Sequence, residues 1–165
     1  MVIYYRKIDS FIAMNEESYF NVRYNSNYRS FIFISNGRHG DLIKMVRFRE
    51  LKGRKNIFNL SLGTVLPDGR IDYPTTSNNG DRNKIIATVV QITYAFFEKY
   101  PEHKIYLTGN DTRRTLLYQR AIIYGYEELI RSFNIYGEIS MEDEEDEFEL
   151  FDKSKTYTGF LIEKK

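Results

Sequence analysis

Apolar and polar residues alternate in three short runs through the first half of the chain. The runs are Ser30–Ser35, Leu42–Leu51 and Ile57–Gly63, and they are rich in β-branched and aromatic residues. Alternation of this kind is typical of strands that bury one face. Residues 36–40, which include two glycines, and the polar residues 52–56 supply the intervening turns. The pattern predicts an antiparallel β-meander.

The period of the apolar positions changes after Asp81, where helical spacing begins. This spacing predicts a helix over Arg82–Tyr100, ended by Pro101, and a second helix over about Thr112–Phe133. Gly125 weakens the second helix and marks a point where it can break in two. The residues expected to be buried by the second helix are Leu117, Ala121, Tyr124, Leu129 and Ile130. The remaining strands are predicted at residues 104–108, 148–151 and 157–162.

Length and composition limit the fold class. The chain has 165 residues, of which 42% are hydrophobic, and this is enough for a single domain with a buried core. The predicted elements form an α+β fold, an antiparallel β-meander packed by two main helices and followed by two C-terminal strands. Their order is similar to that of PC4- and Whirly-type single-strand-binding folds, which is an analogy of fold alone. The sequence contains neither a signal peptide nor an apolar run of about 18 residues, so we expect a cytoplasmic protein without a membrane segment.

Charge is distributed unevenly along the chain, although the formal net charge is only +1. Residues 138–152 contain nine acidic and no basic side chains, which leaves 24 basic and 14 acidic side chains elsewhere, an excess of ten. Such an acidic run is typical of a solvated loop, expected here at about 138–147. The alternative is that the segment covers a basic surface or mimics a polyanion. Near-neutrality of the whole chain is therefore no argument against a polyanionic partner.

Scarce residue types restrict the chemistry. The chain has no cysteine and only two histidines, His39 and His103, so thiolate nucleophiles and multi-histidine metal sites are excluded. The run Asn78–Asp81 is typical of a turn and helix cap, and a metal or base role for Asp81 together with Asp72 has no further partner at a defined spacing. We therefore predict no cofactor and no metal, and we assign no catalytic residue.

The second predicted strand carries one candidate binding surface. Lys44, Arg47 and Arg49 lie along it, and phenylalanines occur close by in the sequence. Nucleic acid is often held by cations on its phosphates and by aromatic rings on its bases. The alternative is that the phenylalanines form the core and that the basic strand only prevents edge-to-edge aggregation. The phenylalanines concerned are Phe31, Phe33, Phe48 and Phe58.

A second candidate surface is the junction between a turn at residues 109–111 and the second helix. Two arginines lie in the first helical turn, where the helix dipole disfavours cations, and a third follows on roughly the same face. An anion bound at the helix start accounts for this arrangement. The alternative is that Asp111 caps the helix and that the arginines pair with acidic side chains. The candidate anion-binding residues are Asn110, Thr112, Arg113, Arg114 and Arg120.

Several segments resemble a family of small bacterial proteins of unknown function. They are Asn59–Gly63, Asn78–Val89, Gly109–Tyr118 and Tyr157–Lys165, and the resemblance extends from about Phe31 to the end of the chain. The family's loop–helix motif, Gly-Ser-Thr-Pro-Ala-Arg-Thr-Arg-Leu-Tyr, is similar to the Gly109–Tyr118 segment. The positions that match the motif beyond its glycine are Arg114, Thr115, Leu117 and Tyr118, and those that depart from it include Asn110, Asp111, Arg113 and Leu116. The family carries no established activity, so the resemblance implies a fold rather than a function.

Three functions are compatible with this sequence. The leading hypothesis is a non-catalytic module that binds nucleic acid, in particular single-stranded, or another polyanion through a basic surface that bears aromatic residues. The second is a protein–protein role, as a homodimer or as one member of a regulatory or toxin–antitoxin pair. The third is an enzyme that acts on a phosphate-containing substrate at the second helix. Five tyrosines near the N-terminus are candidates for an interface in the second hypothesis: Tyr4, Tyr5, Tyr19, Tyr24 and Tyr28.

Overall fold

The strands and helices of the chain are organised in two structural units. The computed structural model describes residues 18–109, 111–139 and 147–165, together with the backbone of residues 4–5. These residues fall into two compact units. The first unit comprises the described residues up to Arg49 and Ser61–Pro101, and the second comprises Glu50–Leu60 and the described residues from Glu102 onward. The predicted acidic loop lies largely outside the described residues, since only its two ends are included.

The first unit is a sheet with one long helix on it. Neighbouring strands from β1 to β4 pair antiparallel, β5 lies next to β4, and the short β6 pairs with the end of β5. The elements are β1 (Tyr4–Tyr5), β2 (Arg23–Tyr24), β3 (Ser30–Gly37), β4 (Gly40–Glu50), β5 (Ile57–Val65), β6 (Ile71–Asp72) and α1 (Arg82–Lys99). The predicted meander and the first predicted helix are therefore confirmed.

The β3–β4 hairpin buries one face beneath α1. Its register joins Ser30 to Arg47 at the open end and Gly37 to Gly40 at the turn. Alternate residues point to the core, as a strand geometry requires, and the ring of Phe48 stacks on Phe96 of α1 with centroids 4.1 Å apart. The phenylalanines that the sequence places near the basic strand, Phe31, Phe33, Phe48 and Phe58, are all at most 2% exposed. They are core residues of their units and provide no surface for a ligand.

The second unit is also a sheet covered by helices. The order of its strands is β5, β7, β10, β8 and β9, and every pair is antiparallel except the parallel pair β5–β7. Its elements, besides the first residues of β5, are β7 (Lys104–Leu107), α2 (Thr112–Tyr124), α3 (Tyr126–Ser132), β8 (Phe133–Ile139), β9 (Glu147–Leu150) and β10 (Phe160–Lys164). The α+β class with a mostly antiparallel sheet is confirmed.

Two features of the second unit correct the sequence analysis. The predicted second helix is divided at Gly125 into α2 and α3, as the glycine indicated, but the strand β8 follows it where no strand was predicted. In β8, Phe133, Ile135 and Gly137 alternate as buried residues, a pattern of period two that the neighbouring acidic run obscured. Tyr124 is also not a core residue, since it is 55% exposed. Leu129 is buried as predicted, whereas the buried residues of α2 follow a different stripe, namely Thr115, Gln119 and Ile122.

Within the described residues, none of the helices combines the length and the apolar character needed to cross a bilayer.

Candidate functional site

The outward face of the β3–β4 hairpin carries two of the predicted arginines. Because β4 alternates, Arg47 and Arg49 point away from the face that packs on α1. The Nη2 atom of Arg47 lies 3.3 Å from the Sδ atom of Met45, on the same outward face. No ion pair joins either arginine to an acidic side chain among the described residues. We call this surface, with Ile32, Ile34, Ile43, Met45, Arg47 and Arg49, the hairpin face.

Lys44 lies on the opposite side of the same strand. It shares the parity of Val46 and Phe48, is only 4% exposed, and its Nζ atom donates a hydrogen bond to Thr64 Oγ1 at 2.7 Å. A charged side chain that is buried in this way needs polar partners inside the protein. Lys44 is therefore part of the interior of the first unit and does not belong to the hairpin face.

A group of aromatic and cationic side chains surrounds the β2–β3 turn. The ring of Tyr28 lies 4.6 Å from that of Tyr24. Lys99 Nζ is 6.0 Å from the Tyr28 centroid, and the guanidinium of Arg29 is 5.4 Å from the Tyr100 centroid. Distances of this size are typical of cation–π contacts. We call these five residues the aromatic–cation cluster, and Tyr28 and Tyr100 are its partly exposed rings.

The aromatic–cation cluster lies at the open end of the β3–β4 hairpin. The amide of Phe48 donates a hydrogen bond to the carbonyl oxygen of Arg29 at 2.8 Å. Ser30, the next residue, is the cross-strand partner of Arg47. The backbone of the cluster therefore adjoins the strand end that carries Arg47, whereas Lys99 and Tyr100 come from the end of α1, on the side of the sheet from which Arg47 points away. From the sequence, Tyr24 and Tyr28 are candidates only for an interface, because the cations and rings that complete the cluster include residues of distant segments.

The loop before α2 is closed by its own side chains. Asp111 caps the helix, since its Oδ1 atom accepts a hydrogen bond from the Arg114 amide at 2.8 Å. Thr115 Oγ1 accepts one from the Gly109 amide at 3.0 Å, and Gly109 approaches the helix too closely to carry a Cβ atom. The capping alternative for Asp111 is therefore confirmed. Asn110, a predicted anion ligand, lies outside the described residues.

The arginines of α2 remain available in their own unit. Arg113 and Arg120, seven residues apart, share a helix face, and both are exposed together with Thr112. No described acidic side chain forms an ion pair with Arg113, Arg114 or Arg120. Burial raises the pKa of the Tyr118 hydroxyl, and the nearby positive charge of Arg114 opposes that rise. These arginines belong to the second unit, whereas Arg47 and Arg49 belong to the first.

A hydrogen-bond network fixes the loop before α1. Asp81 Oδ2 accepts hydrogen bonds of 2.6 Å from both Tyr19 Oη and Ser35 Oγ. Burial, followed by the bond to Asp81, raises the pKa of Tyr19. Asn79, which is 3% exposed, bonds to both sides of the β3–β4 turn, including the His39 amide at 2.8 Å. The Asn78–Asp81 segment therefore joins α1 to the hairpin, and its polar atoms serve this structural role.

Residues 15–165 match a family of unknown function. The chain belongs to that family, DUF6934. Neither a curated protein nor a solved structure shows a significant match to the chain. The analogy with PC4- and Whirly-type folds, the bacterial origin and the loop–helix motif of the family accordingly stay predictions.

One carboxylate in this DUF6934 chain is buried although the sequence did not predict it. Glu138, counted there as part of the acidic loop, is 7% exposed, and its Oε2 atom accepts hydrogen bonds from Tyr106 Oη at 2.7 Å and Thr158 Oγ1 at 3.2 Å. A Cβ atom on Gly159 would lie 2.5 Å from the same oxygen. Thr158 also accepts a hydrogen bond from Thr108, just before the α2 loop. The network connects the Tyr157–Lys165 segment, which carries part of the family resemblance, to Thr108. Alternation in β8 places Glu138 opposite to Ile135 and Gly137, so the sequence pattern does not reveal that it is buried.

Proposed function

We propose that this protein is a non-catalytic module that binds a polyanion, with the arginines of the hairpin face as its primary contacts. The observation that carries the proposal is the position of Arg47 and Arg49, which project from the solvent side of a rigid strand and have no acidic partner among the described residues. Arginines that are held in this way contact phosphates without first breaking an ion pair. Arg113, Arg114 and Arg120 form a second candidate contact in the other unit.

The length and regular pairing of the strand also support the proposal. β4 is eleven residues long and is paired with β3 over eight positions. A well-ordered strand fixes the spacing of alternate side chains at about 7 Å, close to the distance between phosphates along a nucleic-acid strand. Two arginines on one face of β4 therefore suit a ligand with regularly spaced anionic groups.

The test is fluorescence anisotropy of a labelled oligothymidylate, measured between about 50 and 200 mM salt. The wild type should bind with an affinity that falls steeply as salt rises. An Arg47→Gln/Arg49→Gln variant should bind several-fold more weakly, and its salt slope should be lower by roughly 0.7 for each lost phosphate contact. An Arg113→Gln/Arg120→Gln variant measures the contribution of α2 in the same way.

The matched control is Arg70→Gln/Arg131→Gln, which removes the same charge from two arginines that are paired with Asp68 and Glu128. This control should retain nearly wild-type affinity. The proposal is overturned if the wild type does not bind at low salt, if binding is independent of salt, or if the control loses as much affinity as the hairpin variant.

A second candidate function, a protein–protein role, is favoured by one observation on the same surface. Ile34 and Ile43 are directly opposite one another across β3 and β4, and they are 50% and 45% exposed. Single exposed apolar residues are ordinary, whereas a cross-strand pair at the centre of a sheet face is typical of a contact with another protein.

A further inference from the structure

We infer that the polyanion is a single-stranded nucleic acid and that one of its bases stacks on Tyr28 in the aromatic–cation cluster. The inference rests on the proposed polyanion binding and names the ligand class. Base stacking on aromatic rings combined with cations on the phosphates is the common mode of sequence-tolerant single-strand binding. In the cluster both groups occur together, at the end of the hairpin where Ser30 pairs with Arg47.

The first support is the composition of the cluster. Its two partly exposed rings each have a cation close to them, Lys99 near Tyr28 and Arg29 near Tyr100. Tyr100 is held in place because its hydroxyl donates a hydrogen bond to the carbonyl oxygen of Asn27 at 2.7 Å. A base on such a ring would have its flanking phosphates within reach of an ammonium or a guanidinium group.

The second support is the backbone of Tyr28. Its φ angle is +56°, in the left-handed region that a bulky side chain rarely adopts. The other described non-glycine residues with positive φ are Asn56 and Asn78, of a type that tolerates this conformation. Strain of this kind is retained where the surrounding structure or a function requires it.

The turn itself does not require an aromatic residue at this position. Most of its hydrogen bonds come from Asn25, whose Oδ1 atom accepts from the amides of Arg29 and Ser30 at 3.0 Å and whose carbonyl oxygen accepts from the Tyr28 amide at 3.0 Å. Glycine or asparagine at position 28 would preserve all of these bonds and relieve the strain. Packing on Tyr24 and Phe31 uses part of the Tyr28 ring, and the remainder is exposed to solvent.

The cluster also favours a single strand over other polyanions. In a duplex the bases are already stacked and paired, so that a protein ring reaches one only at the expense of unstacking it. Inorganic polyphosphate and sulfated polysaccharides carry charge without bases. The arginines of the hairpin face alone would bind all of these ligands, whereas a contribution from Tyr28 should appear only with accessible bases.

The experiment compares an oligothymidylate with an abasic oligodeoxyribonucleotide of the same length and charge. The chain has no tryptophan, so Tyr28→Trp introduces a single fluorescent reporter. We expect the wild type and Tyr28→Trp to prefer the thymidylate by roughly tenfold or more, and we expect the thymidylate, but not the abasic strand, to quench the tryptophan. Tyr28→Asn should lose the preference while its affinity for the abasic strand and its salt slope stay unchanged.

The matched control is Tyr126→Asn, which removes a ring that also lies beside a cation, Lys153 Nζ at 4.2 Å, in the second unit. Its preference for bases should equal that of the wild type, and thermal melts establish that all variants are folded at the temperature of the assay. If the wild type binds both strands equally and with salt dependence, or if Tyr28→Asn keeps the preference, the stacking inference is wrong and polyanion binding stands. If neither strand binds, the proposed function itself fails.

Discussion

Asn79 is a single buried amide that holds the β3–β4 turn against the start of α1. Its Nδ2 group donates hydrogen bonds to Ser35 Oγ at 3.0 Å and to the Gly40 carbonyl at 3.1 Å, and its Oδ1 atom accepts from the His39 amide. Sequence analysis predicted a turn and cap at this residue. The sequence does not reveal the partners of Asn79, because they lie about forty positions earlier in the chain and meet Asn79 only after the hairpin has folded.

We predict that Asn79→Ala lowers the free energy of unfolding by roughly 2–3 kcal/mol, because it removes one partner from each of several buried polar groups. For a chain of this length the loss corresponds to a decrease in Tm of about 5–10 °C. Asn36→Ala, in the same hairpin, is the control, since Asn36 is exposed and its side chain bonds only to that of Asp41 among the described residues. Its effect should stay within about 0.5 kcal/mol. Equal denaturation midpoints for the two variants would contradict the structural role of Asn79.

Among the elements, the β3–β4 hairpin shows which side-chain positions an alternating sequence pattern can predict. A period of two puts Val46 and Phe48 on one face and Arg47 and Arg49 on the other, and in the structure the first pair is in the core and the second is outside it. The same period of two places Lys44 on the buried face of β4, together with Val46. Sequence analysis nevertheless assigned Lys44 to the surface by its charge, because lysine is almost never fully buried without a partner. The partner, Thr64, comes from β5.

The hairpin face also allows a test of the second candidate function, the protein–protein role. Ile34→Thr/Ile43→Thr keeps two residues that favour strands, and because both side chains are about half exposed the Tm should change by only a few degrees. If this face contacts a second copy of the chain, the wild type should self-associate in sedimentation velocity and the variant should sediment as a monomer.

A matched control is Ile123→Thr, which alters an isoleucine that is 38% exposed on α2. It should sediment as the wild type does. If the wild type stays monomeric at every concentration, the chain does not self-associate through the hairpin face. The arginine contacts of the proposed function then remain as the role of this face.

At the scale of the whole molecule, the chain crosses between its two units more than once. The first unit takes residues from both sides of the segment Glu50–Leu60, and β5 contributes its first residues to one unit and its last residues to the other. Neither unit is therefore a contiguous piece of chain. This connectivity favours the single-domain prediction made from the chain length, since two units that share a strand should not unfold independently.

We predict one cooperative thermal transition, in which the calorimetric enthalpy equals the van't Hoff enthalpy. The measurement is differential scanning calorimetry, with tyrosine fluorescence and far-ultraviolet circular dichroism as independent probes that should give the same midpoint. Two resolved transitions, or a van't Hoff enthalpy well below the calorimetric value, would show that the units unfold separately and that the single-domain prediction is wrong.

The α+β class, the meander, the helix α1 and the break at Gly125 are predictable from the sequence, because each depends on a local period or on a proline or glycine, whose backbone preferences are unusual. The burial of Lys44 and Glu138, the strand β8, and the meeting of Tyr28 and Arg29 with Lys99 and Tyr100 are established only by the fold. One cause explains all of these cases. A local pattern specifies the direction of a side chain within its element, whereas the identity of its partners depends on which distant segments are brought to that side.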